Sequence, residues 1–246
     1  MLKLQCYQLT SAGDREINQD SMGRIIYKDY GIFVVTDGLG GHQSGEKASR
    51  YFCQALLKLA NQYRPALIQD PVDTMTAWFD SAIEEMKTLF GTDPSASEAH
   101  TTCALLYLDA AQTITAHCGD SRIYRMNPNN VLWRTKDHSR TQELLDDGSI
   151  TEREMGMHPE QNQLTRSINI LYAHPPEIHV YPPIKLGETF LLCTDGFWEH
   201  VKSGELLDLA QPESGKNELG KFARLSVLRA RGRSDNVTVQ WIRCLG

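Results

Sequence analysis

The clearest pattern in the chain is an apolar, β-branched run, GIFVVT at 31–36, bounded by glycines. Its length and composition predict a buried strand. A helix is predicted over about 45–61, where Ala48, Tyr51, Phe52, Ala55, Leu56, Leu59 and Ala60 recur at i, i+3, i+4, i+7 spacing and form one apolar stripe. The same spacing returns over about 72–90 with Val72, Met75, Phe79, Ala82, Ile83, Met86 and Phe90, and Pro65 and Pro71 break the chain between the two. The first half therefore reads as strand, strand, helix, helix, followed by a run of strands.

That run follows a polar loop at 91–100 and predicts strands at 101–108, 112–118, 121–126 and 131–135. The links are short, and NPNN at 127–130 is a turn, so these strands are expected to form an antiparallel meander. From about 137 to 176 the chain becomes polar, with helical fragments TQELLDDG and TEREMG and a stiff Pro175–Pro176 at its end. This reads as an excursion from the core. A strand at 188–194, helices near 203–211 and 216–230, and a strand at 236–242 complete the pattern; in the last, Val237, Val239 and Trp241 alternate with Thr238, Gln240 and Ile242. One echo stands out: IFVVTDG at 32–38 and FLLCTDG at 190–196, each read as a strand ending in Thr-Asp-Gly. Helix pairs so far apart in sequence cannot cover each other, so each is expected to cover a sheet face. The expected fold is α+β: a central antiparallel β-sandwich flanked by helix pairs, in four α-β-β-α layers. No linker divides the chain, so residues 1–246 read as one domain.

Composition narrows the function more than the fold. Hydrophobic residues make up 41% and charged residues 23%, as in ordinary globular domains. A net charge of -6 argues against a nucleic-acid surface. No apolar stretch approaches the ~18 residues of a membrane span, and the opening residues lack the apolar core of a secretory signal, so a cytoplasmic location is expected. The six cysteines, at 6, 53, 103, 118, 193 and 244, form no C-x-x-C pair, and several lie in apolar runs, where a free thiol packs as a small hydrophobe.

The candidate chemistry is carboxylate. Asp37, Asp120, Asp195 and Asp235 follow or begin strands, and Asp20 precedes one within the polar stretch DREINQD. Strands paired in register would bring such ends to one edge of a sandwich, where like charges repel unless a cation sits among them. An oxygen-only donor set favours hard ions such as magnesium or manganese. Gly38 and Gly196 are expected to turn the backbone sharply behind the acids and expose a carbonyl oxygen. Taken singly, an Asp-Gly after a strand is more often a simple turn than a ligand. Gly38, Gly40, Gly41 and Gly45 before a helix also suit a phosphate-binding loop, although no lysine stands in a Walker-type position, and His42 reads as a turn or capping residue.

In combination the motifs resemble a known family. DREINQD (14–20), VVTDGLGGHQSGE (34–46), the threonines at 101–102, HCGDSRIYR (117–125), KDHS (136–139), LTRSI (164–168), LLCTDGFWEHV (191–201) and SDNVTV (234–239) occur in the order seen in the metal-dependent serine/threonine phosphatases of the protein phosphatase 2C type. The likeness spans roughly residues 8–242 and is closest to stand-alone bacterial members. It implies that Asp37 bridges two metals, that the Gly38 carbonyl is a ligand, and that Asp195 and Asp235 complete the first site. By the same resemblance Asp20 would act near the second metal, directly or through water, and Asp120 would belong to a third, weaker site. Arg15 grips the substrate phosphate with a planar fork suited to two oxygens. The 137–176 excursion matches a mobile flap beside the active site.

The resemblance further implies hydrolysis of phosphoserine and phosphothreonine in proteins by a metal-activated water, without a phospho-enzyme. The cofactors would be manganese or magnesium, two core ions with a third site beside them. Phosphorylated proteins, including a serine/threonine kinase or its targets, would be the partners of a monomeric enzyme that opposes such a kinase. Two positions depart from the eukaryotic pattern: Leu39 stands where many relatives carry a histidine proposed as leaving-group acid, and Gln19 where they carry glutamate. The alternative is a catalytically weak regulatory or binding module on the same fold. A phosphatase with an aspartyl nucleophile would need Asp-x-Asp after the first strand, whereas Thr36-Asp37-Gly38 offers one acid.

Overall fold

The structure is a computed structural model that describes residues 2–39, 43–171 and 174–246; Gly40, Gly41 and His42 of the glycine-rich turn lie outside the described residues. Three strands precede the helices, one more than the hydrophobic pattern predicts: β1 (Leu4–Ser11), β2 (Asp20–Ile26) and β3 (Tyr30–Leu39). The first two are largely half-buried, so neither carries the apolar run that marks β3. Along β3 the side chains alternate between two cores. Ile32 and Val34 face a cluster shared with the helices α1 (Gln43–Tyr63) and α2 (Pro71–Phe90), whereas Phe33 and Val35 enter a cluster between the sheets. Burial on both faces is what the unbroken GIFVVT run encodes.

The two helices form where their stripes predict. α2 starts after Asp70, whose carboxylate accepts from the Asp73 amide at 3.2 Å, with Pro71 in its first turn. The Trp78 indole, fully buried, donates to the Leu56 carbonyl at 3.0 Å and ties α2 to α1.

The remaining strands are β4 (His100–Thr101), β5 (Cys103–Asp109), β6 (Thr113–Cys118), β7 (Arg122–Met126), β8 (Val131–Arg134), β9 (Glu177–Tyr181), β10 (Thr189–Cys193) and β11 (Val237–Cys244). The short α3 (Arg140–Asp146) lies within the polar excursion, and α4 (Asp195–Trp198), α5 (Ser203–Ala210) and α6 (Lys216–Arg229) lie between β10 and β11. One sheet has the order β1-β11-β10-β7-β8; the other has β2-β3-β5-β6-β9, with β4 beside β3. All these pairings are antiparallel.

The expected meander from 101 to 135 does not form. β6 pairs with β9 and β7 with β10, so the chain changes sheets between Cys118 and Arg122. A link this short suits a hairpin equally well by length, but Gly119 adopts φ +100° and diverts the chain. The change of sheet puts Asp120 at the corner between the layers. The Thr-Asp-Gly echo is likewise not a structural repeat, since the first lies inside β3 and the second opens α4.

Three apolar clusters account for the layers. One joins α1 and α2 to their sheet, one joins α4, α5 and α6 to the other sheet, and one fills the space between the sheets with Phe33, Leu106, Ile123, Phe190, Leu192 and Ile242. This is the expected four-layer arrangement. The excursion is anchored to both outer layers, through Ile168 in the first cluster and Met155 in the second.

Candidate metal centre

The topology brings all five predicted acids together. Asp20 and Asp37 are direct cross-strand partners at the end of the β2–β3 ladder. In the other sheet, the Thr194 amide donates to the Thr238 carbonyl at 3.1 Å, extending the β10–β11 pairing to the point where Asp195 and Asp235 leave it. The charge of Asp195 is among those that oppose ionisation of Asp37. Asp120, on the corner between sheets, interacts most strongly with Asp195 among these acids.

The electrostatics are those of acids crowded together. Burial, then repulsion from Asp195 and Asp235, raises Asp20 to about 8, against the hydrogen bond from Thr194. Burial, with repulsion from Asp235, raises Asp195 to about 6. Asp37 and Asp120 are both pushed well above the usual carboxylate range, first by burial and then by neighbouring acids. Asp20, Asp37 and Asp195 keep some surface exposed, so a small ion can reach them. Protein nevertheless surrounds each carboxyl closely enough to make ionisation costly. The Thr194 hydroxyl donates to Asp20 Oδ2 at 2.9 Å, while Asp20 Oδ1 is buried with no hydrogen-bond partner. A buried carboxylate oxygen without a donor, among acids that resist ionising, fits a hard divalent cation.

Arg15 reaches the same edge. Its guanidinium contacts Asp235 Oδ2 at 2.8 Å and is 58% exposed, so it can present donors outward. The loop carrying it is held from behind by Asn236, whose amide nitrogen donates to the Ala12 and Ile17 carbonyls and whose Oδ1 accepts from the Gln19 amide at 2.7 Å. Asp14 adds a further tie by accepting from the Ser234 amide.

Gly38 and Gly196 do not turn the chain as expected. Gly38 lies within a strand and Gly196 within a helical turn, and neither has positive φ. Each is required for space: a Cβ at Gly38 would lie 2.1 Å from the Gly45 carbonyl oxygen, and one at Gly196 would lie 2.2 Å from that of Asn236. The glycines let α1 and the loop before β11 close on the acids.

Sequence reasoning missed three supporting groups. Besides Asn236, the Thr102 hydroxyl accepts from the Asp37 amide at 3.0 Å. Glu199, whose amide donates to the Asp195 carbonyl, is raised to about 9 by burial and by Asp195, Asp120 and Asp235. A glutamate four residues after a candidate ligand on a helical turn was the available signal, since i and i+4 share a face. The buried thiols point away from cysteine chemistry: burial pushes Cys53 and Cys118 up to about 12, far from a thiolate nucleophile at neutral pH.

Known proteins similar to this chain fall in one family. A family model for protein phosphatase 2C matches residues 11–225. Protein phosphatase PhpP of Streptococcus pneumoniae is 30% identical over 240 residues, covering 94% of both chains. Serine/threonine phosphatase stp of Listeria welshimeri is 29% identical over 232 residues, covering 92% of this chain and 89% of the relative. Among solved structures, the catalytic domain of the serine/threonine protein phosphatase PstP, in complex with two manganese ions, superposes over the full length of both chains with a TM-score of 0.81 at 25% identity.

Proposed function

The chain belongs to the protein phosphatase 2C family and is a serine/threonine protein phosphatase, and from that premise we propose that it hydrolyses phosphoserine and phosphothreonine in proteins by metal-assisted attack of water, with no phosphorylated side chain. The observation that carries the metal reading is Asp20 Oδ1, buried without a donor among acids whose pKa values are raised. Asp37, Asp195, Asp235, Asp20 and the Gly38 carbonyl are the groups that would hold two core ions, with Asp120 at a third position. Manganese or magnesium held there would supply Lewis acidity, acidifying a water and offsetting phosphoryl charge.

The chain's own contribution is placement. Asp20 and Asp37 are fixed by strand register, and Asp195 by the start of α4. Arg15 binds two phosphoryl oxygens once it turns from Asp235, and its fork meets the charge that develops in the transition state. The 137–176 excursion, with Gly156 packed on Glu199, serves as a flap over the site. A cytoplasmic monomer opposing a serine/threonine kinase is the setting this reading favours.

The test is hydrolysis of a phosphothreonine peptide after exhaustive chelation and then with manganese restored. We expect loss of activity of about 10³-fold or more on chelation and full recovery on restoration. Unchanged turnover in excess chelator would overturn the metal mechanism, and absence of turnover at saturating manganese would favour the binding-module alternative.

Arg15 separates phosphate binding from metal binding. Arg15→Ala is expected to raise KM about tenfold and to lower kcat, with manganese affinity little changed because the cation it removes is not a ligand. Arg15→Lys should recover part of the loss, since it keeps the charge without the fork. Kinetics of Arg15→Ala equal to wild type would make this a solvated surface arginine.

A further inference from the structure

Among the described residues outside the acid centre, His117, His138 and Glu177 form a group in which each offers one ligand atom within 4.8 Å of the others. Their geometry opposes a shared metal. The two imidazoles are stacked, with centroids 4.6 Å apart and planes 12° from parallel, so their lone pairs run in separate planes and do not converge. His138 has also committed its Nδ1 lone pair, which accepts from the Gly119 amide at 3.2 Å.

We propose that His138 is a positioning residue that fixes the Gly119–Asp120–Ser121 corner, and through it Asp37, in register with the base of the excursion. The proposal rests on the phosphatase reading above. The clamp is reciprocal: as Nδ1 accepts from the Gly119 amide, the His138 amide donates to the Gly119 carbonyl at 2.9 Å. An accepting Nδ1 leaves the proton on Nε2, which faces Glu177 Oε2 at 3.3 Å. That carboxylate stands at the end of the excursion, and its other oxygen contacts His179 Nε2 at 2.8 Å. At the entry, the His138 carbonyl accepts from the Thr165 amide at 2.8 Å. One residue thus joins both ends of the excursion to the corner where the chain changes sheets.

From the corner the contacts continue inward. The Asp120 carbonyl accepts from the buried Trp198 indole at 3.0 Å, and the Ser121 hydroxyl bonds to that of Thr102 at 2.7 Å. Thr102 in turn brackets Asp37: its hydroxyl accepts from the Asp37 amide, and its amide donates to the Asp37 carbonyl at 2.8 Å. The corner packs closely on Thr102, since a Cβ at Gly119 would lie 2.6 Å from Thr102 Cγ2. Burial and the neighbouring His117 push His138 down to about 4, which keeps the accepting lone pair present at neutral pH.

Two substitutions divide the ring's functions. In His138→Asn the amide oxygen falls near the place of Nδ1 and keeps the acceptor for Gly119. In His138→Gln the amide reaches toward Glu177 and the acceptor is lost. We expect His138→Gln to lower kcat about tenfold and to raise the manganese requirement severalfold, as for groups that orient metal ligands, with KM within about twofold. His138→Asn should recover most of this, and amide hydrogen exchange at 119–121 should accelerate in the Gln variant and not in the Asn variant. Equal effects of the two substitutions on exchange and manganese requirement, at matched Tm, would overturn the proposal. So would a long-range ¹⁵N spectrum of the wild type with the proton on Nδ1. The exchange and nitrogen spectra are read without turnover, so failure of the phosphatase reading would be seen separately, in an inactive wild type.

Discussion

Asp37→Asn is expected to lower kcat/KM by about 10³-fold or more at saturating manganese, roughly 4 kcal/mol of transition-state stabilisation, while making the metal-free protein more stable. The two effects have opposite signs for one reason. Asp37 carries the most crowded carboxyl of the group: burial and four neighbours, Asp20, Asp195, Asp120 and Asp235, all resist its ionisation. Neutralising it relieves that repulsion when no cation is present, but removes the negative charge that would hold the ions. A neutral amide keeps the shape, and the backbone bonds to Thr102 hold the strand in place. In this chain, where 1 kcal/mol corresponds to roughly 2–4 °C, the metal-free variant should melt a few degrees above wild type and gain much less from added manganese. Activity within tenfold of wild type would remove Asp37 from the machinery. A variant that melts well below wild type would make it a structural acid.

How far the sequence revealed this site depended on where each signal resides. The helices α1 and α2 and the strand β3 were legible because their burial is one-sided or complete, and the hydrophobic pattern encodes both cases directly. β1 and β2 were weaker because half-buried strands carry polar residues on both faces. β9 was hidden behind Pro175–Pro176, with His179 and Val180 exposed within it. The change of sheet at Gly119 could not be read from spacing, since a link of this length suits a hairpin equally well and the corner's partner, His138, lies well away in sequence. The acids themselves were legible as strand-end carboxylates in ordered motifs. Asn236, Thr102 and His138 stand inside or beside those motifs, yet nothing in one sequence distinguishes a residue that holds a ligand from one that merely neighbours it.

Metal-free protein should lose stability as pH rises from about 5 to about 8.5, the reverse of the usual benefit of leaving acid. The sign follows from the raised carboxyls. Asp20 and Asp195, at about 8 and about 6 in the folded chain, titrate near 4 once unfolded. Between these values the folded state binds more protons than the unfolded state, so stability falls with increasing pH. The contribution is fully present below about pH 4, is lost first through Asp195 near 6, and then through Asp20 near 8. Glu199, raised to about 9, and the raised Asp37 and Asp120 act in the same direction, whereas Glu205, held down to about 2 by Arg229, acts oppositely and only in strong acid. A loss of a few kcal/mol across the window would lower Tm by roughly 10 °C. Manganese should reverse the trend, because a cation replaces the protons and its affinity grows as they leave. The gain in Tm on adding manganese should therefore be largest at the alkaline end. Asp20→Asn should lessen the fall of the metal-free curve between pH 6.5 and 8.5, leaving the contributions of Glu199 and, near 6, of Asp195. Melting curves with and without manganese across this range decide the matter, and a metal-free Tm that rises steadily to pH 8.5 would mean that these acids do not bear the burden of one another's charge.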